Sequence, residues 1–86
     1  MNKNWSDEAW DEYEYWHRQD KKTLKKINAL IKDIERNGVN KGIGHPEPLK
    51  HLKAWSRHID EFNRLVYDIV ENRLCIYSCQ GHYDDK

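Results

Sequence analysis

Along the first half of the chain, apolar residues recur three and four positions apart. Ala9, Trp10, Tyr13 and Trp16 lie on one side of a helical wheel. Leu24, Ile27, Leu30, Ile31 and Ile34 form a second stripe with lysines opposite. Ser6 followed by Asp7 and Glu8 supplies a cap and then acids for the positive end of a helix dipole, so the spacing predicts a helix from about 7 to 18. Asp20 caps a second helix, and Asn37-Gly38 ends it. The short link predicts an antiparallel hairpin, its apolar stripe belonging to the core rather than to a cofactor box.

The pattern then changes. "GVNKGIGHPEP" holds three Gly and two Pro and reads as loop. Beyond it the period shortens, and "LKHLK", "AWSRHI", "NRLVYDIV" and "RLCIYSC" read as strands of an antiparallel sheet, with "VENRL" as the tight turn between the last two. "NKNW" near the start adds an edge strand. The predicted fold is α+β: residues 1–86 as one domain, with two N-terminal helices packed on one face of a small curled antiparallel sheet. The other face is left for function.

Composition narrows the class. A chain of 86 residues buries roughly 60–65% of its unfolded surface. Four Trp and five Tyr add large contact areas to a modest core. No apolar run approaches the ~18 residues of a membrane span. The N-terminal residues lack a signal-peptide core, so the expected location is cytoplasmic and the "NWS" sequon carries no meaning. Cys75 and Cys79, read as one strand, stand about 13 Å apart. That is too far for a disulfide, and predicts two free thiols on one strand face. Net charge is zero but unevenly spread: −5 over residues 7–20 and +7 over residues 21–58. The basic half is either an ordinary solvated surface or a face for nucleic acid.

Several residues could carry chemistry. Glu47 sits between two prolines that hold it extended, with Lys50 three positions on. Arg64 shares a strand face with Val66 and Asp68, and could be a surface ion pair or a phosphate clamp. His82 and Tyr83 follow the last strand. Taken singly, each is as readily a solvated side chain. Five His match no zinc spacing, so no metal or other cofactor is expected, and no phosphate-cradling Gly motif or activated-Ser motif occurs. Together, a Glu, an Arg, a Lys and a His on a small sheet are what metal-free RNA cleavage requires. The 2′-hydroxyl attacks phosphorus, a base takes its proton, an acid protonates the leaving 5′-oxygen, and cations hold the developing charge.

The stretches "WSDEAWDEYEYW", "LKKINALIKDIER", "PEPLKH", "WSRHIDEFNRLVY" and the closing "HY" closely resemble, in order and over nearly the whole chain, the YoeB/Txe toxins of the RelE-like toxin–antitoxin superfamily. The resemblance implies a microbial-RNase-like fold and a ribosome-dependent endonuclease that cuts mRNA in the A site, with the ribosome and its 16S rRNA as partners. It implies Glu47 as general base, His82 as general acid and Arg64 as phosphate clamp, with Lys50 beside the base and Tyr83 near the scissile nucleotide. It also implies neutralisation by a YefM/Axe-type antitoxin, operator DNA binding only through that antitoxin, and a possible toxin homodimer. The chain departs from the pattern at "WSRHI", where His58 replaces a second arginine of the site; it is either a pH-dependent phosphate contact or a tolerated surface change whose work Arg57 or Lys50 takes over. The segment between Lys50 and Trp55 is short, and Asp84-Asp85-Lys86 follow the usual terminal Tyr. Two other readings stay open. A toxin of the same fold, like the ParE-like gyrase poisons, could inhibit a target by binding alone. A generic RNA-binding module would explain the basic half but not the terminal His-Tyr.

Overall fold

A computed structural model of the chain describes residues 1–82. Strand β1 (Asn2–Trp5) leads into helix α1 (Asp7–Gln19) and then α2 (Lys21–Asn37). Ser6 caps α1, its Oγ accepting the Ala9 N–H at 3.0 Å. Asp20 alone separates the helices and serves both. Its own N–H donates to the Trp16 carbonyl, and its carboxylate accepts from Lys22 and Thr23 N–H. Gly38, at φ 92°, ends α2 in a conformation that L side chains rarely adopt. The helical expectations are met to within a residue.

Four short strands follow: β2 (Glu47–Pro48), β3 (Trp55–His58), β4 (Arg64–Val70) and β5 (Arg73–Ser78), in the sheet order β1-β5-β4-β3-β2. β2 to β5 pair antiparallel, but β1 runs parallel to β5, so the sheet is mixed rather than wholly antiparallel. Parallel neighbours require a long crossover, and here the rest of the chain provides it. "LKHLK" is not a strand. Residues 49–54 form the return from β2 to β3, closed by Leu49 N to Ala54 O at 2.9 Å and Ala54 N to Leu52 O at 2.8 Å. Once Pro48 pairs with Trp55, the residues between must turn. The β4–β5 turn is as tight as expected, with Glu71 and Asn72 both at positive φ.

The helices pack on one sheet face. Ala9, Ile27, Leu30, Ile31 and Ile34 meet Leu65, Tyr67, Leu74 and Ile76 in the core. Both cysteines are free, Cys75 half-buried and Cys79 buried. They do not share a face, however. The β4–β5 register shifts at Val66/Tyr67, leaving Tyr77 as an extra residue between Ile76 and Ser78. The bulge turns Cys79 to the helices, where its thiol lies 3.7 Å from the Ala9 carbonyl, while Cys75 pairs with Asp68. No described helix is long and apolar enough to cross a membrane.

Candidate active site

The sheet face away from the helices is assembled by register. Glu47 pairs with Ser56, Ser56 with Val66 and Val66 with Ser78; His58 pairs with Arg64. Side chains alternate along each strand, so Glu47, His58 and Arg64 rise on the same side. The Glu47 carboxylate stands 3.8 Å from His58 Nε2, with both side chains about half exposed. The His45 ring lies edge-on to His58 at 5.4 Å between centroids. His45 has φ 58°, a left-handed conformation rarely taken by a non-glycine residue, directly before Pro46. Nothing in the residue pattern singled His45 out.

Arg64 is fixed on one side. Its Nη1 donates to the carbonyls of Asp60 at 2.8 Å and Asn63 at 3.2 Å. Among the described residues, its remaining guanidinium nitrogens donate no hydrogen bond. Its backbone N–H donates to the Gly81 carbonyl at 2.9 Å, and the Gly81 N–H donates to Asn63 Oδ1 at 2.8 Å. These two bonds put the root of His82, itself exposed, next to Arg64. Upstream, α1 grips Cys79 from both sides. Glu12 Oε1 accepts its N–H at 2.7 Å and Trp16 Nε1 donates to its carbonyl at 2.9 Å. Sequence reasoning missed Glu12, Trp16 and Asn63, because each acts on a residue far away in the chain. Lys50 is exposed on the 49–54 loop. Tyr83 lies outside the described residues.

Arg57 does not join this face. Strand alternation turns it to the helix side, where it is fully buried. Its Nε donates to Tyr67 Oη at 2.8 Å and its Nη1 to Asp33 Oδ2 at 2.6 Å and the Ile43 carbonyl at 3.0 Å. Its Nη2 donates to the carbonyls of Gly38 at 2.9 Å and Lys41 at 2.7 Å. Every donor is used, so Arg57 is a core residue that pins the 38–44 loop and offers no free guanidinium donor to the open face. The loop fits tightly over it, since a Cβ added at Gly42 would stand 1.8 Å from Asp33 Oδ2.

The electrostatics follow this geometry. Burial, then the charge of Arg64 and the neighbouring His45, hold the His58 imidazole below its ordinary value, with Glu47 opposing. His58 is therefore neutral at neutral pH in the free protein. The Arg57 hydrogen bond keeps Asp33 below the usual carboxylate range. Burial raises Glu12, although it accepts the Cys79 N–H. Among the described residues no three His, Cys, Asp or Glu side chains gather as a metal ion would require. The face offers a carboxylate, an imidazole, a partly open guanidinium and the base of a second His. Such a set can move protons and bind a phosphate.

Residues 5–83 match the family model described as a YoeB-like toxin of bacterial type II toxin–antitoxin systems. The chain is 51% identical over 81 residues to Toxin YoeB of Escherichia coli K12, covering 92% of this chain and 95% of that protein. A YoeB dimer from Staphylococcus aureus superposes with a TM-score of 0.92 at 45% identity, covering 96% of this chain and 98% of that one. The heterotetrameric YoeB–YefM complex from the same organism gives a TM-score of 0.90 at 45% identity, with the same coverage. By the family match over residues 5–83 and these likenesses, the chain belongs to the YoeB-like toxin family of bacterial type II toxin–antitoxin systems.

Proposed function

We propose that this toxin is an endoribonuclease that cuts mRNA in the ribosomal A site and so stops translation. The observation that carries the reading is the register that raises Glu47, His58 and Arg64 on one open face and ties Gly81, the neighbour of His82, to the Arg64 backbone. In this scheme the Glu47 carboxylate takes the proton of the RNA 2′-hydroxyl as its oxygen attacks the adjacent phosphorus. The P–O5′ bond breaks, and the His82 imidazolium protonates the departing 5′-oxygen. The products are a 2′,3′-cyclic phosphate and a 5′-hydroxyl. Arg64, one edge held by loop carbonyls, turns its remaining donors to the phosphate; one such donor contributes on the order of 10²–10³ in rate. Proton transfer by each positioned group contributes about 10²–10⁴. His58 gains a proton when a phosphate arrives beside it and then adds a second cation.

The residues of α2 from Lys21 to Lys32 present exposed lysines that suit the ribosomal RNA backbone. Because YoeB is solved in complex with YefM and also as a dimer, a YefM-like antitoxin and a toxin dimer are proposed partners here. Operator DNA would be reached only through the antitoxin, and the site of action would be the cytoplasm. The test is primer extension on a defined mRNA in a translation extract, with and without toxin. New 5′ ends that appear only with ribosomes are expected. Translation arrest with intact message would instead favour a toxin that inhibits by binding.

A further inference from the structure

The chain end poses a positional problem. His82 lies beyond the last strand, four residues after Ser78, where ladder hydrogen bonds no longer hold the backbone. Its placement rests on one backbone bond, from the Arg64 N–H to the Gly81 carbonyl at 2.9 Å, and on side chains from two distant elements. On the α1 side, Glu12 and Trp16 hold both polar groups of the Cys79 peptide, at 2.7 and 2.9 Å. On the β4 side, Asn63 Oδ1 accepts the Gly81 N–H at 2.8 Å. Asn63 is itself aimed. Its Nδ2 donates to both Asp60 carboxylate oxygens, at 3.1 and 3.2 Å, and its backbone N–H donates to Asp60 Oδ1 at 2.7 Å. Gly81 has φ 85°, so the chain bends there through a conformation open mainly to glycine, and the Asn63 bond fixes that bend.

We infer that Asn63 and Glu12 are positioning residues that set where the His82 imidazole stands relative to Arg64. The inference rests on the reading of His82 as general acid. Removing either acceptor frees one end of the 79–82 segment; Glu12 bonds neither Glu47 nor Arg64, whereas Asn63 also bonds Asp60, whose carbonyl holds Arg64, so the Glu12 variants separate the two effects. A misplacement of about 1 Å costs about 10²-fold in rate when the group acts at the reacting atoms. Glu12 needs only its oxygen for this task, so the amide of Gln serves equally.

The experiment is a double-mutant cycle on mRNA-programmed ribosomes, read as single-turnover cleavage at saturating toxin. It is paired with hydrogen exchange of the Gly81 amide in the free protein. Asn63→Ala is expected to lower the rate roughly 10–100-fold with unchanged half-saturation, and to add nothing in a His82→Ala background. Glu12→Ala should behave alike, and Glu12→Gln should retain wild-type rate. Gly81 exchange should accelerate in Asn63→Ala. An equal loss from Asn63→Ala with and without His82, or unchanged Gly81 exchange, overturns the assignment while leaving the nuclease reading intact. A wild-type toxin that leaves message uncut, or a His82→Ala toxin that cuts normally, overturns the nuclease reading and the assignment with it.

Discussion

Replacing Arg57 with Met keeps a flexible stem of similar length in the core and removes the guanidinium. Five hydrogen bonds disappear: to Tyr67 Oη, Asp33 Oδ2 and the carbonyls of Gly38, Lys41 and Ile43. Charging each at the cost of a buried unsatisfied group, about 1–3 kcal/mol, overstates the loss. Asp33 is near the surface and much of the 38–44 loop is exposed, so water can reach several of the orphaned acceptors. The better comparison is loss of one partner from a buried ion pair, about 3–5 kcal/mol. A domain of 86 residues has a total of about 4–13 kcal/mol to lose. The variant should thus unfold at a urea midpoint roughly 2–3 M lower, read by the fluorescence of Trp5 and Trp16 in the core wall. The gap should also depend on pH with a definite sign. Asp33 titrates below its ordinary 3.8 in the fold because Arg57 donates to it. Its contribution is therefore complete above that value and lost as pH falls through the lower folded value. The difference between wild type and variant should narrow below about pH 4. A midpoint change under 1 M, or a stable variant that fails to engage ribosomes, would refute the assignment of Arg57 to the core and return it to the substrate face.

Glu47→Gln keeps shape but loses proton affinity, so cleavage should fall by about 10² or more with ribosome binding unchanged; equal loss of binding would make Glu47 structural. His58→Arg should cut faster than wild type, by a factor that widens from pH 6 to 8.5 as the imidazole loses its charge; parallel pH–rate curves would show that His58 does not touch phosphate. Burial pushes the Cys79 thiol up to about 12, so a thiol reagent at pH 8 should label only half-buried Cys75 in the native protein and both after unfolding, as mass spectrometry would count. Glu12 titrates above its ordinary value in the fold, chiefly by burial. Its ionisation therefore opposes folding: the stabilisation is full below the unfolded value and lost as pH rises through the folded one. Glu12→Gln should accordingly match or exceed wild-type stability at pH 7 and lose that advantage near pH 4, measured as a urea midpoint.

The helices were legible because their information is local. Ser6 and Asp20 cap through bonds two and three residues away, and the stripe from Ile27 to Ile34 repeats within one element. The β4–β5 turn was legible for the same reason. The resemblance to the toxin family, legible in "PEPLKH" and "WSRHIDEFNRLVY", agrees with the match over residues 5–83. Direction and register were not local. Whether β1 runs with or against β5 depends on how everything between them crosses the sheet. One extra residue at Tyr77 was enough to send Cys79 to the face opposite Cys75. The same limit governs the site. Sequence named Glu47, Arg64 and His82, but only the pairings Glu47 with Ser56 and His58 with Arg64 decided that the first two rise together with His58. It also offered Arg57 for the substrate face, and alternation turned that guanidinium inward, where Asp33 lies 24 positions away and Tyr67 10. A residue type fixes what a side chain can do over its own few ångströms. Which partners come within those ångströms is set by packing between segments, and no stretch of the chain contains that information alone.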